Sequence, residues 1–353
     1  MDHTAVKSAI ATVVNVEGSS YRRIGARMLV MSDGTWIGGI SGGCLEGDAL
    51  KKANFAIYKN EPSITLYDTT NDDDQQIGVG LGCNGKIQVM FKPVDQADPK
   101  NDINLLKACV DKRETQILLT VQKSDSPILP LGHSHLIRDT EDLGLFNDFG
   151  SQINAELDSI GSSDEISRVI ALDEGAQTEI LIEYIKPRLR LLVCGDNYDI
   201  IPLIAMAKEM DWIVEVCGAS KKLTREVFNT ADLVLEKSEV DQLEVDDHTA
   251  ILLMAHDYKT DLNNFEHFLP KRPTYLGLLG PKKRFDKMLD EMNEDDVHAA
   301  RKAPFVHSPV GLDIGATSPD EIAISIISEI VAVYGNRPGS FLKNKPGTIH
   351  DHE

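Results

Sequence analysis

The chain has 353 residues, 42% of them hydrophobic and 26% charged, a globular composition long enough for about two domains with cores of their own. Its 36 lysines and arginines stand against 56 aspartates and glutamates, which leaves a net charge of −20. That field repels polyanions, so sequence-general nucleic-acid binding and docking on anionic membranes make poor hypotheses.

Five cysteines (Cys44, Cys83, Cys109, Cys194, Cys217) are odd in number and widely spaced, with no C-x-x-C pair, which argues against a disulfide framework. The opening MDHTAVKSAIATVVNV carries Asp2 and His3 in place of the features of a secretory leader, and no run of 18 apolar residues follows. A cytoplasmic protein is expected.

In chain order, Ala9–Val16 and Ala26–Met31 are apolar and β-branched, as buried strands are, with Gly18 to Gly25 between them. Six glycines fall between Gly34 and Gly47, and Leu45, Ala49, Ala53, Ala56 and Ile57 then recur at helical spacing, so a loop feeds a helix that starts near Cys44. Strands are expected at Ser63–Tyr67 and Lys86–Val94, separated by a third glycine cluster, GVGLGCNG. The middle of the chain is less regular: a helix over Asp102–Arg113, strands at Gln116–Gln122 and Glu179–Lys186, and a polar run of loop and short helix between them. From Arg190 onward, strands and helices alternate, which implies βαβ units and a parallel, doubly wound sheet. The final helix has a clear start, with Ser318 as N-cap, Pro319 at N1 and Glu321 closing a capping box. The expected organisation is an N-terminal α/β domain with Gly/Cys-rich loops over 1–188, including a variable middle segment. A C-terminal Rossmann-like doubly wound sheet follows over 189–340, and then a polar tail over 341–353.

In a doubly wound sheet, ligands bind at the carboxyl ends of the strands, where the first strand turns into the first helix. Here that turn reads Gly195-Asp196-Asn197-Tyr198-Asp199-Ile200, which keeps the first glycine of G-x-G-x-x-G and puts Asn197 where a pyrophosphate needs bare backbone. The second strand ends in Cys217-Gly218 instead of the acid that binds ribose hydroxyls. NAD(P) binding is therefore doubtful. Cys194 and Cys217 fall at the ends of adjacent strands, either facing one pocket or filling small buried spaces. His256 and Asp257, then Gly280, Lys283 and Arg284, border the same crevice, and the Lys-Lys-Arg run opens a helix, where cations oppose the dipole unless an anion sits among them.

The N-terminal half carries more distinctive chemistry. Arg22, Arg23 and Arg27 lie within ten residues of one another, and arginine forks with glycine-rich turns suit phosphate or carboxylate oxygens. Cys44 follows Gly42-Gly43 at a helix start, where the dipole favours a thiolate. Cys83, after Gly82, has a similar setting, and together the two cysteines suggest handling of sulfur or a soft metal. Tight turns with space-filling cysteines are the plain alternative.

At these residues the chain resembles a known family. GSSYRRIGARMLVMSDGTWIGGISGGCLEGDAL and GVGLGCNGKIQV are similar to the N-terminal motifs of the XdhC/CoxI family. LLVCGDNYDIIPLIAMAKEMDWIVEV, MAHDYKTDL, TYLGLLGPKKR and SPVGLDIGATSPDEIAISIISEIVA resemble its Rossmann-like domain. The resemblance implies an accessory protein of molybdenum hydroxylases such as xanthine dehydrogenase. Such a chaperone binds the molybdenum cofactor (molybdopterin), supports its sulfuration and delivers it to the apo-enzyme, with a cysteine desulfurase as second partner; whether it forms a homodimer is left open. By resemblance, Cys44 and Cys83 are the motif cysteines that handle sulfur or metal. The ligand is expected in a cleft lined by the two cysteine loops, with Ser19, Arg22, Arg27, Gly42, Gly43 and Gly82, and by the Rossmann edge, with Gly195, Asn197, His256, Asp257, Gly280, Lys283 and Arg284. Where the family commonly carries G-A-G-H-x-G, this chain has Gly195 to Ile200 as given above. The rival functions are an NAD(P)-dependent oxidoreductase and a divergent nucleotide-binding assembly factor; on the cofactor reading, chaperone activity rather than catalysis is expected.

Overall fold

The computed structural model describes residues 6–18, 20–68, 85–110, 112–139, 141–159, 166–173 and 177–346. The chain divides after Pro187 into two compact units, the second running over Arg188–Pro346. Ser19, Gly82 and Cys83 lie outside the described residues, as do residues 347–353 of the expected tail. Among the described residues no helix is long and apolar enough to cross a membrane.

The N-terminal unit begins with Ser8–Gly18 (β1), Arg27–Met31 (β2) and Trp36–Gly38 (β3), continues through the helix Glu46–Lys59 (α1), and returns as Ser63–Asp68 (β4) and Gly85–Val94 (β5). These strands form an antiparallel sheet in the order β3-β2-β1-β5-β4. Four residues join β2 to β3, short enough only for antiparallel neighbours. The helical spacing seen in the sequence is the buried stripe of α1: Ala49, Ala53, Ala56 and Ile57 pack on β1, β2 and β5. Their small size lets the helix lie close to the sheet.

The middle segment is more ordered than its polarity suggests. Asp102–Val110 (α2) leads into Gln116–Lys123 (β6), Ser134–Ile137 (β7), Gly150–Asp158 (α3), Arg168–Ala171 (β8) and Glu179–Ile185 (β9). The four strands make a second antiparallel sheet, β7-β6-β9-β8, with α3 and Phe146 over one face. Its other face meets the first sheet through buried Val14, Met90 and Leu181. Two ion pairs cross the same seam: Arg27 on β2 holds both oxygens of Glu183 on β9 at 2.7 and 2.8 Å, and Lys92 reaches Asp102 at 2.9 Å.

The C-terminal unit alternates as expected. Its elements are Arg190–Cys194 (β10), Ile200–Glu209 (α4), Ile213–Cys217 (β11), Arg225–Thr230 (α5), Leu233–Leu235 (β12), Thr249–Leu253 (β13), Tyr258–Phe268 (α6), Tyr275–Leu278 (β14), Lys282–Glu291 (α7), Glu294–Lys302 (α8), Val306–His307 (β15) and Pro319–Tyr334 (α9). Every strand pair is parallel, in the order β12-β11-β10-β13-β14-β15. The order reverses between β10 and β13, the switch point of a Rossmann sheet. Period-two alternation sends Leu191 and Val193 into a core with α4 and α9, and Leu192 and Cys194 into one with α6 and α7. Both faces are thus covered, which is why these strands read as unbroken apolar runs.

Two features of this architecture make measurable predictions. In the α9 capping box, Ser318 accepts from Glu321 N, and the Glu321 carboxylate is pulled down to about 2 by the N–H groups of Ser318 and Thr317, reinforced by their hydroxyls. Its cap is complete above the ordinary carboxylate range and is lost as pH falls through about 2. Carbon-13 NMR of Glu321 is expected to show that midpoint, and Ser318→Ala to cost about 1 kcal/mol in urea unfolding of the C-terminal unit. In the seam, Glu183 has a side-chain exposure of 3%. Arg27→Ala, which strands this carboxylate, is expected to destabilise the N-terminal unit by about 3–5 kcal/mol, and adding Glu183→Leu is expected to recover much of that loss.

Candidate functional site

The first candidate site is built where the glycine-rich turns return to the edge of the β3-β2-β1-β5-β4 sheet. Ser41 is its fixed point. The buried Ser41 hydroxyl accepts from Gly43 N at 3.2 Å and Leu45 N at 3.1 Å and donates to the Glu46 carboxylate, which also accepts from Ser41 N at 2.9 Å. Burial works against ionisation of Glu46, yet the Ser41 hydroxyl and N–H outweigh it and hold the carboxyl below its ordinary value. The turn therefore closes on itself just before α1. Cys44 sits in this turn, half-buried against the α1 core, with its thiol 3.6 Å from Ser41 Oγ. Gly43, with a φ of +111°, takes a backbone conformation that favours glycine.

A second loop comes up beside the first. The exposed ring of Tyr21 lies against Gly42, where a Cβ would stand 3.4 Å from it, and the Arg22 guanidinium is 5.8 Å from the same ring. Arg22, Gly42, Gly43 and Cys44 are thus brought together. Arg27 points elsewhere. Its guanidinium is taken up by Glu183 and, through Nη1, by the Gly25 carbonyl at 2.8 Å, so it braces the loop from behind. Among the described residues, no three His, Cys, Asp or Glu side chains gather as a metal site. Sequence reasoning passed over Tyr21, Ser41, Glu46 and Glu183. The first three lie inside the glycine-rich motif, beside the cysteine and arginines that drew attention; Glu183 is 156 residues from Arg27, beyond any local pattern.

The second candidate site is the carboxyl edge of the parallel sheet, where Gly195, Asn197, His256, Asp257, Gly280, Lys283 and Arg284 were expected to border a crevice. The fold brings them to one edge, but most are committed to the protein itself. Gly195 is required by packing, since a Cβ there would stand 2.7 Å from the Met254 carbonyl oxygen. Asn197 donates across the switch point to the Ala255 carbonyl at 3.3 Å. Beside it, His256 Nε2 is 2.6 Å from Asp199 Oδ2, with His256 in the left-handed region at φ +54°. These two contacts lace the β10 and β13 loops together where a dinucleotide would cross.

Asp257 caps α6 by accepting from Thr260 N and the Thr260 hydroxyl, at 2.8 and 2.6 Å; the hydroxyl and then the N–H lower its carboxyl. Gly280, at φ +126°, makes the turn into α7. The anion among the α7 cations is internal: Arg284 bonds the buried carboxylate of Asp261, which also accepts from Ala255 N at 3.0 Å. Lys283 remains exposed. Asp196, the second residue of the turn, is buried and held by Lys237 at 2.8 Å, Lys222 at 3.4 Å and Ala219 N at 3.2 Å. Burial opposes its charge, but these partners prevail and its carboxyl is lowered.

Comparison with known proteins agrees with both halves. A family model described as the XdhC Rossmann domain matches residues 191–330, and one described as the XdhC and CoxI family matches residues 3–68. Over 337 residues the chain is 28% identical to a probable xanthine dehydrogenase subunit of Bacillus subtilis (strain 168), with 92% of each chain covered. It is 20% identical over 326 residues to the molybdenum cofactor insertion chaperone PaoD of Escherichia coli (strain K12), spanning 92% of this chain and 83% of that protein. A crystal structure of a xanthine dehydrogenase from Bacillus halodurans matches with a TM-score of 0.72 at 26% identity, over 98% of this chain and 95% of that one. With both its N-terminal motif and its Rossmann half matched in order, the chain belongs to the XdhC and CoxI family.

Proposed function

We propose that this protein is a maturation chaperone for a molybdenum hydroxylase, such as a xanthine dehydrogenase, and that it holds the molybdenum cofactor at the Cys44 turn. The observation that carries the reading is the meeting of a half-exposed thiol, a bare glycine turn, an exposed aromatic ring and an arginine at one surface. The relationship to PaoD and to the B. subtilis protein supports the choice of client and cargo.

The donor set suits the ligand. A pterin presents a flat ring, for which Tyr21 offers a face, and a phosphate, for which Arg22 offers a planar fork. The cofactor supplies a dithiolene-held metal centre, and the soft sulfur of Cys44 is a fitting ligand for it. Ser41 holds the turn that presents this sulfur, and Gly42 and Gly43 leave it uncovered. On the same reading, Cys83 in GVGLGCNG supplies a second thiol, and a cysteine desulfurase provides sulfur for the bound cofactor. The crevice of the C-terminal unit takes no nicotinamide cofactor in this proposal, since Asn197 and His256 occupy its mouth.

Protein purified from cells that make molybdopterin is expected to carry a pterin, detectable by fluorescence after oxidation. Cys44→Ser and Cys83→Ser are each expected to lower its yield by about tenfold or more. Pterin-free protein that also fails to take up added cofactor would overturn the reading. Titration with NADH and NADPH is expected to show no micromolar binding, and such binding would favour the oxidoreductase instead.

A further inference from the structure

The carboxyl edge of the parallel sheet holds a pair of thiols that cofactor handling does not use. Cys194 and Cys217 are the last residues of β10 and β11 and stand directly opposite each other in parallel register. Hydrogen-bonded parallel strands run about 5 Å apart, and opposed side chains share a face, so the two Cα atoms fall within the span that a disulfide bridges. Both side chains enter the same apolar layer, with Leu243 and Phe265. The Cys217 thiol donates to the Glu236 carbonyl at 3.5 Å. Neither cysteine is bonded to anything else covalently.

The pair is chemically unequal. The neighbouring Cys217 sulfur and then burial push the Cys194 thiol well above the ordinary range. The neighbouring Cys194 lowers the Cys217 thiol, burial opposes the shift, the Lys237 ammonium assists it, and the Glu239 and Glu236 carboxylates oppose it. One acidic thiol beside one that keeps its proton is the arrangement of a dithiol couple, with an attacking sulfur and a resolving sulfur.

We propose that Cys194 and Cys217 form a reversible disulfide, a modification site in the C-terminal unit that is separate from the Cys44 turn. The oxidant is hydrogen peroxide. The Cys217 thiolate attacks one peroxide oxygen, the O–O bond breaks, and hydroxide leaves and takes up the proton that the thiol had released, giving Cys217 sulfenic acid and one water. The Cys194 sulfur then attacks the sulfenic sulfur; the S–S bond forms, the S–O bond breaks, and the hydroxyl departs with the Cys194 proton as a second water. The two thiols lose two electrons, and the peroxide gains them. A dithiol reductant reverses the change, being oxidised to its own disulfide while both cysteines regain protons.

The test uses the full-length protein treated with hydrogen peroxide, then blocked with N-ethylmaleimide under denaturing conditions and digested with trypsin without reduction. Cys194 and Cys217 fall on successive peptides, Leu191–Lys208 and Glu209–Lys221. The expected product is these two peptides linked, lighter by two hydrogens than their sum and restored by dithiothreitol. In parallel, two of the five cysteines lose their reactivity toward a thiol reagent in denaturant. Cys44→Ser is expected to leave the linkage intact, and Cys194→Ala and Cys217→Ala each to abolish it. The proposal is overturned if both peptides from oxidised wild-type protein carry maleimide, if Cys217 accumulates as sulfinic acid, or if the only linkages involve Cys44, Cys83 or Cys109. The mapping is made on wild-type protein, so it decides the matter even where a variant folds poorly.

Discussion

The Glu183 carboxylate is the constraint on which the N-terminal unit turns. A carboxylate removed from water is costly unless its partner meets it with good geometry and further hydrogen bonds. Arg27 does so by holding both oxygens, and its other arm reaches the Gly25 carbonyl. The cost of burying one charge is thereby turned into a fixed relation between a strand of the middle segment and the first glycine-rich loop. Gly25 must then be glycine twice over, since its φ is +87° and a Cβ would stand 2.9 Å from Glu183 Oε1. Past that anchor the loop carries Tyr21 to Gly42, beside the turn that presents Cys44.

The same logic redistributes the cations of an acidic chain. With a net charge of −20, every lysine or arginine that stays free is a local exception. The structure shows that several are spent on buried carboxylates: Arg27 on Glu183, Arg284 on Asp261, Lys222 and Lys237 on Asp196. Such pairs are made where one partner is nearly out of water, and they hold loops in place as much as they stabilise them. Arg22 and Lys283 remain at the surface, where small anions can reach them. Local charge in the sequence thus marks two different things, and burial of the opposing acid separates them.

Much of this architecture was legible before any coordinates. The parallel sheet announced itself through unbroken apolar runs, and the α9 start through Ser318 and Glu321, because these signals are local and physical. The Gly42-Gly43-Cys44 turn was legible for the same reason. What stayed hidden was pairing at a distance. Two strands of the second antiparallel sheet were read, Gln116–Gln122 and Glu179–Lys186, but not their pairing, because the other two, Ser134–Ile137 and Arg168–Ala171, like Trp36–Gly38 and Val306–His307, have too few residues to show a period. Arg27 and Arg284 looked like ligand-binding groups because their carboxylate partners, Glu183 and Asp261, are set by the fold and not by adjacency.

The altered dinucleotide loop is better understood as one coordinated change than as scattered losses. Asp196 turns its carboxylate toward the β11 end, where Lys237, Lys222 and Ala219 N receive it. That placement crowds position 218: a Cβ at Gly218 would lie 2.7 Å from the Gly195 carbonyl oxygen and 3.0 Å from Asp196 Cβ. A glycine is therefore enforced just where the second strand would carry an acid for ribose hydroxyls. Restoring that acid at Gly218 alone would clash with backbone. Asn197 and His256 bind the opposite side of the same opening to Ala255 and Asp199. Together these contacts tie the loops of this edge to one another, and the thiol pair at the ends of β10 and β11 is the chemically distinctive feature of this half of the chain.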